Sequence, residues 1–324
     1  MIYKFDEPRQ HFVSIHDFLL ENHERIPYNV VIHQKVALMT IDKRIKLLKD
    51  TYLELAKGKK NLLRIITEAE IPEMVFNSNA IENSTLSLEE TERVLLELEL
   101  SRYVTARELL EAKNLARIIN YLENKKNEVP INTETILFFH KMLLSGIDDS
   151  IAGRFRNEDE FVRVGKHVAP NPDQVEKLIN KAIDEYNFTT LAPLEAIAVF
   201  HLEFERIHPF CDGNGRTGRV ILNMQLSQHN FPPVIIRNNE KYGAYYPFFD
   251  RYNIDRSSRK FTEILKRYVS ESLNKRIAYL EGREINKVSE YSKTSERSIQ
   301  SLLNSAKRQT LEAFRQHETW MIGT

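Results

Sequence analysis

The sequence predicts an all-α fold that carries one small β-hairpin and ends in a winged-helix-like module. Glycine and proline are sparse, with 10 and 11 among 324 residues, which favours long helices over a turn-rich β-protein. Apolar residues recur at helical spacing in several segments, and this period is lost over one stretch in the middle of the chain. At about 150 residues per domain, the length suggests about two domains.

Composition limits the class of protein. Lys plus Arg and Asp plus Glu both total 46, so the net charge is zero, which excludes a globally basic nucleic-acid coat protein though not a local patch. The single cysteine excludes an internal disulfide and fits a reducing cytosol. No apolar run approaches the ~18 residues of a membrane span, and the N-terminus lacks the apolar segment of a signal peptide. We therefore expect a cytoplasmic protein with no membrane partner.

The N-terminal region, residues 1–130, reads as helices with short breaks. Pro72 suits the first turn of a helix, where no backbone N–H is needed, and we expect this helix over about residues 71–84. Ser87, followed by two glutamates that include Glu90, is typical of the N-cap of the next helix. The sequence therefore predicts a helical region ahead of the central domain.

The central part of the chain changes pattern twice. The helical period disappears over residues 153–172, and residues 161–172 are predicted to form a hairpin that stands off a helical body. Helical patterning resumes at Pro193 with the apolar spacing of a buried face. A second buried helix is predicted from near Gly215 to a point before Asn230. This arrangement puts a short loop between two buried helices.

Residues 283–324 are predicted to form a C-terminal unit, after a boundary near Gly282. A helix from near Ser295 and a hairpin that turns at residues 316–318 resemble the winged-helix modules of the excisionase type. Such modules place a helix in the major groove of DNA, but seven basic residues here face five glutamates, which is a small basic excess. DNA and a protein are therefore alternative partners for this unit, and we expect Trp320 in its core.

The loop between the buried helices carries an anion site. Residues 208–219 read His-Pro-Phe-Cys-Asp-Gly-Asn-Gly-Arg-Thr-Gly-Arg. The small residues from Gly213 to Gly215 open a helix, so successive backbone N–H groups converge at the positive end of the helix dipole. Arg216 and Arg219 lie three residues apart on one helical face, and two guanidinium groups beside such a nest imply more than one phosphate.

Two further groups complete the chemistry of this loop. Asp212 adds a carboxylate where the phosphates gather, which is a natural seat for Mg²⁺. His208 is the group in this segment that can take a proton near neutral pH. Cys211 has no neighbouring ligands and is expected to be a small packed residue. Together these parts describe transfer of part of a polyphosphate to an incoming hydroxyl.

This loop resembles the signature of Fic proteins, HxFx(D/E)GNGRxxR, at every specified position. The resemblance extends over roughly residues 133–273 and implies a Fic-type helical bundle, with a β-hairpin flap, over about residues 131–280. It also implies the activity of most Fic proteins, which is transfer of AMP from ATP to a Ser, Thr or Tyr hydroxyl of a target protein with release of pyrophosphate. Transfer of another nucleoside monophosphate or of phosphate is the alternative chemistry in this fold.

The resemblance assigns roles to single residues. His208 is implied to be the general base, Asp212 to hold Mg²⁺ and Phe210 to anchor the loop, while the flap would clamp the target chain by strand addition. His201 is outside the signature and is expected to be structural. The implied nucleotide-binding residues are Asp212, Gly213, Asn214, Gly215, Arg216, Thr217, Gly218 and Arg219 in the loop and helix, Val164, Gly165, Lys166 and His167 in the flap, and Tyr245, Tyr246 and Asn253 around the base and ribose.

Residues 78–83 resemble the inhibitory motif (S/T)xxxE(G/N) of Fic proteins, with Ser78, Glu82 and Asn83 at its specified positions. The resemblance implies that Glu82 pairs with Arg219 and occupies the fork intended for the γ-phosphate. ATP would still bind, with its α-phosphate turned away from in-line attack. The alternative is that Glu82 is a surface residue on a solvated helix.

Three properties stay open at the level of sequence. In some Fic proteins the inhibitory glutamate helps to remove AMP from the target, so one site can carry out both reactions. A DNA-associated regulator, in which the Fic domain binds nucleotide but does little chemistry, is the alternative function. The family also implies a tendency to form homodimers.

Overall fold

The computed structural model describes residues 39–125 and 128–324, and residues 40–324 form one compact unit. Part of the predicted N-terminal region, residues 1–38, lies outside the described residues. The helices are α1 (Ile41–Ala56), α2 (Lys60–Ile81), α3 (Leu88–Leu95), α4 (Ala106–Asn124), α5 (Thr133–Leu144), α6 (Pro172–Asn187), α7 (Pro193–Ile207), α8 (Asn214–Gln228), α9 (Tyr246–Asp255), α10 (Arg259–Glu281), α11 (Val288–Thr294) and α12 (Ile299–Lys307). The strands are β1 (Arg163–Val164), β2 (His167–Val168), β3 (Ile285–Lys287), β4 (Ala313–Gln316) and β5 (Thr319–Gly323). The predicted helical fold with a few short strands is confirmed, and none of these helices is long and apolar enough to cross a bilayer.

Helix α8 lies between two apolar clusters, which fixes its position. Val220 and Met224 pack into a cluster formed mainly by α4, α5 and α6, whereas Leu222 and Leu226 pack into a second cluster formed mainly by α7 and α10. A helix that is apolar around most of its circumference is buried on more than one side. The N-terminus of α8, which carries the anion-binding sequence, is therefore held by the core of the protein.

The predicted start of the inhibitory helix is wrong. Helix α2 begins at Lys60 and contains Pro72 in its interior, rather than starting beside it. The turns before Pro72 bury the apolar side chains of Ile66 and Ile71, and burial of this kind opposes the cost of about 3 kcal/mol that an interior proline carries. Because proline has no backbone N–H, the carbonyl of Glu68, four positions earlier, receives no hydrogen bond within the helix. Glu68 is exposed to solvent. The helix ends at Ile81 instead of residue 84.

The flap is a two-residue ladder, in which Arg163 pairs with Val168 and Val164 with His167. Its turn contains Gly165, whose φ of 58° lies in the left-handed region that glycine adopts without strain. The predicted hairpin is confirmed, although the paired part is shorter than residues 161–172: beyond the two strands it adds one backbone hydrogen bond, from the Ala169 N–H to the Val162 carbonyl at 3.1 Å. The apolar side chains of Val164 and Val168 are exposed.

The C-terminal unit is a three-stranded sheet with two helices, and β5 lies between β3 and β4. Its apolar core includes Val288, Leu302 and Ile322. The sequence pattern missed β3, which has three residues and pairs with β5 more than thirty positions later, as Ile285 with Gly323. Trp320 is half-buried at the edge of this core, so the expectation that it is a core residue is wrong.

Charged contacts join the C-terminal hairpin to the helical body. Arg315 in β4 donates to Glu240 at 2.6 Å and to Glu271 of α10 at 2.9 Å. The segment that contains Glu240 also reaches the end of α2. Lys241 Nζ lies 3.0 Å from the Asn83 side-chain oxygen, and the Tyr246 hydroxyl donates to the Ile81 carbonyl at 3.0 Å. The end of α2 is therefore held from outside by the segment that follows α8.

Candidate active site

The loop before α8 is held rigidly from inside. His208 ends α7 with a φ of 51°, a left-handed conformation, and its Nδ1 lies 3.3 Å from the Glu205 carbonyl oxygen. Phe210 is fully buried, and its ring stacks on His140 with centroids 3.6 Å apart. The Asn214 side chain spans the turn, because it accepts from the Phe210 N–H at 2.9 Å and donates to the Phe210 carbonyl at 2.8 Å. The imidazole of His208 is thus fixed next to the start of α8.

Two glycines allow close approach at the start of α8. Gly213 has a φ of 76°, and a Cβ there would lie 2.9 Å from a Leu144 methyl group. A Cβ on Gly215 would lie 2.2 Å from Glu82 Oε1, which is closer than any real contact. The Glu82 carboxylate therefore lies directly over Gly215, in the first turn of the helix. An acidic side chain occupies the position where the sequence predicts a bound anion.

Arg219 is the centre of a buried hydrogen-bond group. Its Nη2 donates to Glu82 Oε1 at 2.8 Å and to the Ser78 carbonyl at 2.8 Å, and its Nε donates to Ser78 Oγ at 2.9 Å. Burial by itself would lower the pKa of Arg219, but the Glu82 carboxylate outweighs this effect and raises the pKa above its ordinary value. Within the described chain, Arg219 Nη1 has no hydrogen-bond partner. This nitrogen is buried, and a Cβ on Gly215 would lie 3.0 Å from it, so it lies beside the first turn of α8.

Asp212 lies at the lip of the site, with its side chain 36% exposed. Its Oδ1 accepts from the Gly213 N–H at 2.6 Å and from Arg216 at 3.2 Å, and its Oδ2 accepts from Arg107. Burial would raise the pKa of Asp212, but Arg216 and Arg107 outweigh that effect and lower it, so the group is a carboxylate at neutral pH. Arg107 comes from α4 and was not predicted.

The two arginines of the motif bond to different parts of the protein. Arg216 is 2% exposed, with its Nη1 2.9 Å from Glu111 and its Nη2 bonded to Asp212, whereas Arg219 faces α2. They flank the helix N-terminus rather than forming one adjacent pair. Thr217 is 1% exposed and points into the protein. A Cβ on Gly218 would lie 2.6 Å from Glu205 Oε1, so this glycine allows α7 and α8 to pack closely.

Burial sets the protonation of three groups around the loop. It lowers the pKa of His208 to about 4, so the imidazole is neutral at pH 7 and can accept a proton. It lowers the pKa of His201 to about 3, and this core residue contacts the Tyr245 hydroxyl at 2.9 Å, as expected for a structural histidine. It raises the pKa of Glu205 to about 8. Glu205 was not predicted, because no local pattern marks a glutamate that packs against a glycine of the next helix.

Comparison with known proteins identifies the domain that carries this loop. Residues 130–226 match the model of the Fic/DOC family. The chain contains a Fic domain. Protein adenylyltransferase Fic of Nematostella vectensis is 32% identical over 213 residues, which are 63% of this chain and 48% of that protein. Protein adenylyltransferase fic-1 of Caenorhabditis briggsae is 30% identical over 240 residues, which are 69% of this chain and 46% of that protein. The chain thus spans about half the length of the curated relatives that it matches.

Solved structures show the same fold. A fragment of Fic-1 from Caenorhabditis elegans superposes with a TM-score of 0.64 at 25% identity, over 79% of this chain and 75% of that one. A Fic-domain signalling protein from Bacteroides thetaiotaomicron superposes with a TM-score of 0.67 at 22% identity, over 74% of this chain and 97% of that one. The helical body described above is therefore a Fic fold.

The remaining predicted residues of the Fic site fall into two groups. In the flap, Val164, Gly165 and Lys166 are exposed, while His167 Nε2 lies 2.8 Å from the Arg206 carbonyl oxygen, two residues before His208. The other group comes from the segment that follows α8. Tyr245 is 1% exposed and packs in the core. Tyr246 contacts the end of α2, and Asn253 is half-buried on α9.

The donor set around Asp212 fits Mg²⁺ in one specific way. In the described part of the chain, no group of three or more His, Cys, Asp or Glu side chains is placed to hold a metal ion. Mg²⁺ is commonly bound through one or two carboxylates, with phosphate oxygens and water as its other ligands. A single carboxylate at the lip of an anion site matches that arrangement. Asp212 is therefore the residue that would hold a metal together with a bound nucleotide.

Proposed function

We propose that this chain is a protein adenylyltransferase that transfers AMP from ATP to a Ser, Thr or Tyr hydroxyl of a target protein. The observation that carries the proposal is the placement of a neutral imidazole, His208, on the loop that opens an anion-binding helix. Relatives about 30% identical to this chain are named protein adenylyltransferase, which supports the same activity.

The reaction needs one proton transfer and one displacement. His208 takes the proton from the target hydroxyl, whose oxygen then forms a bond to the α-phosphorus while the bond to pyrophosphate breaks. The N–H groups of Asn214 and Gly215 hold the α-phosphate, and Arg219 holds an outer phosphate, while Arg216, which is bonded to Glu111 and Asp212, adds positive charge next to them. Asp212 would hold Mg²⁺ beside the bound phosphates, where the ion would neutralise part of their charge. The exposed flap strands offer an edge along which an extended target segment adds as a further strand.

The same geometry supports autoinhibition by α2. Glu82 bonds to Arg219 and lies over Gly215, so it takes up space and charge that the phosphates of ATP require. We propose that nucleotide binds in a non-productive orientation until this carboxylate leaves. Ser78 and the side chain of Asn83 belong to this device, since Ser78 holds Arg219 and Asn83 contacts Lys241.

Label transfer tests the proposed activity. The Glu82→Gly variant is incubated with Mg²⁺ and with ATP that carries the label on either the α- or the γ-phosphate. The α-label is expected to appear in protein, at a higher level than with wild type, and the γ-label is expected to stay in solution. The Glu82→Gly/His208→Ala double variant should still bind ATP but transfer no label. Incorporation of the γ-label would show phosphate transfer instead, and no incorporation of either label would contradict the proposal.

Removal of AMP from a modified target is a second candidate reaction for this site. It is favoured by the position of the Glu82 carboxylate over Gly215, since a carboxylate beside the α-phosphate site can orient an attacking water. Protein labelled by the Glu82→Gly variant provides the substrate. Release of labelled AMP by wild type, and not by Glu82→Gly, would demonstrate this reaction, whereas equal release by both would exclude a role for Glu82.

We propose that the C-terminal unit docks on the Fic domain. Its hairpin is engaged with the helical body through Arg315, and Glu318 at its turn contacts Asn239. These contacts favour docking of this unit on the Fic domain over a free wing that lies on DNA. Retardation of duplex DNA by the protein would reverse that preference and support a DNA-associated regulator. A homodimer and a cytoplasmic location stay predictions from the sequence.

A further inference from the structure

Four charged side chains form a closed ring at the lip of the Fic site. Arg107 and Glu111 lie one turn apart on α4, with Arg107 Nε donating to Glu111 Oε1 at 3.0 Å. Glu111 Oε1 lies 2.9 Å from Arg216 Nη1, and Arg216 Nη2 donates to Asp212 Oδ1 at 3.2 Å. The donation from Arg107 Nη2 to Asp212 Oδ2 closes the ring. Helix α4 precedes the segment that matches the family model, so it adds charge to the site from outside that segment.

The two oxygens of Asp212 are held differently. Oδ1 has two donors that belong to the loop and helix themselves, the Gly213 N–H and Arg216. Oδ2 is bonded to Arg107, which comes from another helix. A divalent cation that binds Asp212 beside the phosphates needs a lone pair on one of its oxygens. Oδ2 can provide it more easily than Oδ1, because its partner Arg107 is easier to remove than the two donors to Oδ1.

Exposure shows which arginine can move. The side chain of Arg216 is 2% exposed, so it is fixed by packing, whereas that of Arg107 is 53% exposed. An exposed arginine on a long side chain changes rotamer easily, and its ion pair is weak because water competes for both partners. Arg107 can leave Asp212 and stay attached to Glu111 through Nε. Two positive charges on one carboxylate oxygen repel each other, so a metal and Arg107 exclude one another there.

We propose that Arg107 is a positioning residue that competes with the divalent cation for Asp212 Oδ2 and so sets the metal concentration that the site requires. The inference rests on the proposed function, because it assumes that a metal–nucleotide complex binds beside Asp212. In the metal-free site Arg107 neutralises Asp212 and keeps its carboxylate oriented toward the helix N-terminus. When a metal–nucleotide complex binds, the Arg107 guanidinium would release Asp212 Oδ2 and stay bonded to Glu111.

Binding of Mn²⁺ tests this inference without any measurement of transfer. Mn²⁺ takes the same octahedral oxygen coordination as Mg²⁺ and is followed by electron paramagnetic resonance. It is titrated into the full chain carrying Glu82→Gly, in the presence of a non-hydrolysable ATP analogue. Arg107→Gln should lower the half-saturating Mn²⁺ concentration by roughly threefold to tenfold, and Arg107→Lys, which keeps the charge, should shift it less. The control is Lys113→Gln. Lys113 lies on the same helix as Arg107, and its removal breaks an exposed ion pair with Glu97, so it should cause no shift in the half-saturating Mn²⁺ concentration.

A second measurement separates competition for Asp212 from contact with nucleotide. In EDTA, Arg107→Gln should bind the analogue as tightly as its parent. An unchanged or higher half-saturating Mn²⁺ concentration in Arg107→Gln would overturn the proposal, because Arg107 would then not compete with the metal. Weaker binding of the analogue in EDTA would also overturn it, because Arg107 would then be a phosphate ligand. If the metal shift is found while no variant transfers label from ATP, the role of Arg107 stands and the proposed activity fails.

Discussion

Glu82 Oε1 and Arg219 Nη2 lie 2.8 Å apart, although 137 positions separate the two residues in the sequence. Ser78, one turn before Glu82, adds two further acceptors for the same guanidinium. The end of α2 and the start of α8 are thereby joined through a single buried cation. Since the proposed function needs that cation for the terminal phosphate of ATP, we expect the glutamate and the nucleotide to compete for Arg219.

Calorimetry with two nucleotides measures this competition. Glu82→Gly should tighten ATP binding by about tenfold to a hundredfold, because a hydrogen bond to a charged group contributes about 1.5–3 kcal/mol and each tenfold corresponds to about 1.4 kcal/mol. AMP has no terminal phosphate for Arg219 and shares with ATP only the phosphate next to Gly215, over which Glu82 lies, so its affinity should rise less than that of ATP. Glu97→Gly, which removes an exposed carboxylate at a positive φ, is the matched control. An equal gain for AMP would show that Glu82 acts on another part of the nucleotide.

Lys241 should contribute to inhibition by holding the end of α2. Its Nζ lies 3.0 Å from Asn83 Oδ1 and 3.4 Å from the Ala80 carbonyl oxygen, where a cation favourably meets the negative end of the helix dipole. Lys241→Ala should loosen this end and raise label incorporation from α-labelled ATP a few-fold, in line with the ~0.3–1 kcal/mol of such contacts. In the Glu82→Gly background the same substitution should add nothing. An additive increase would mean that Lys241 acts on the site by another route.

Gly218 should be required for packing between α7 and α8. A Cβ there would lie 2.6 Å from Glu205 Oε1 and 3.2 Å from Phe204, so Gly218→Ala overpacks a buried contact. We expect a loss of about 1–3 kcal/mol in the free energy of unfolding, measured by urea titration. Gly243→Ala is the control, because a Cβ at Gly243 meets nothing within 4 Å. Equal stability of the two variants would contradict the tight packing between these helices.

The pH dependence of transfer should report the buried state of His208. Burial lowers its pKa from the ordinary 6.5 to about 4, so protonation that removes the base occurs only as the pH falls toward 4. The transfer rate of Glu82→Gly at saturating ATP should therefore change little between about pH 7 and pH 5.5 through this group, where an ordinary histidine would lose most of its neutral form. Circular dichroism at each pH checks that the protein stays folded. A half-maximal rate near pH 6.5 would show that His208 titrates as an exposed histidine.

The sequence predicted those parts of the site that are contiguous. The loop of residues 208–219 and the Ser78–Glu82 pair are local patterns, so their chemistry can be read without knowing the fold. Arg107 and Glu205 could not be found in this way, because each reaches the loop from a helix where a charged residue is ordinary. Their proximity arises when α4 and α7 pack against α8, which no local spacing records.

The fold shows the same division between local and distant signals. Ser87 is the N-cap of α3, as the sequence predicts, and it forms a capping box with Glu90, since both partners lie within four positions. The sequence misplaces the start of α2 because proline is common in the first turn of a helix, whereas burial of apolar residues such as Ile66 continues this helix through Pro72. Strand β3 was missed because three residues carry no alternating pattern of their own, and the strand forms only by pairing with β5.

A crystal structure of the Glu82→Gly variant with ATP bound tests the competition for Arg219 most directly. We predict that the terminal phosphate replaces the lost carboxylate on Arg219, and that the α-phosphate lies at the N-terminus of α8 and faces the His208 imidazole. A nucleotide whose terminal phosphate lies away from Arg219, or whose α-phosphate lies away from the start of α8, would contradict both the proposed activity and its control by Glu82.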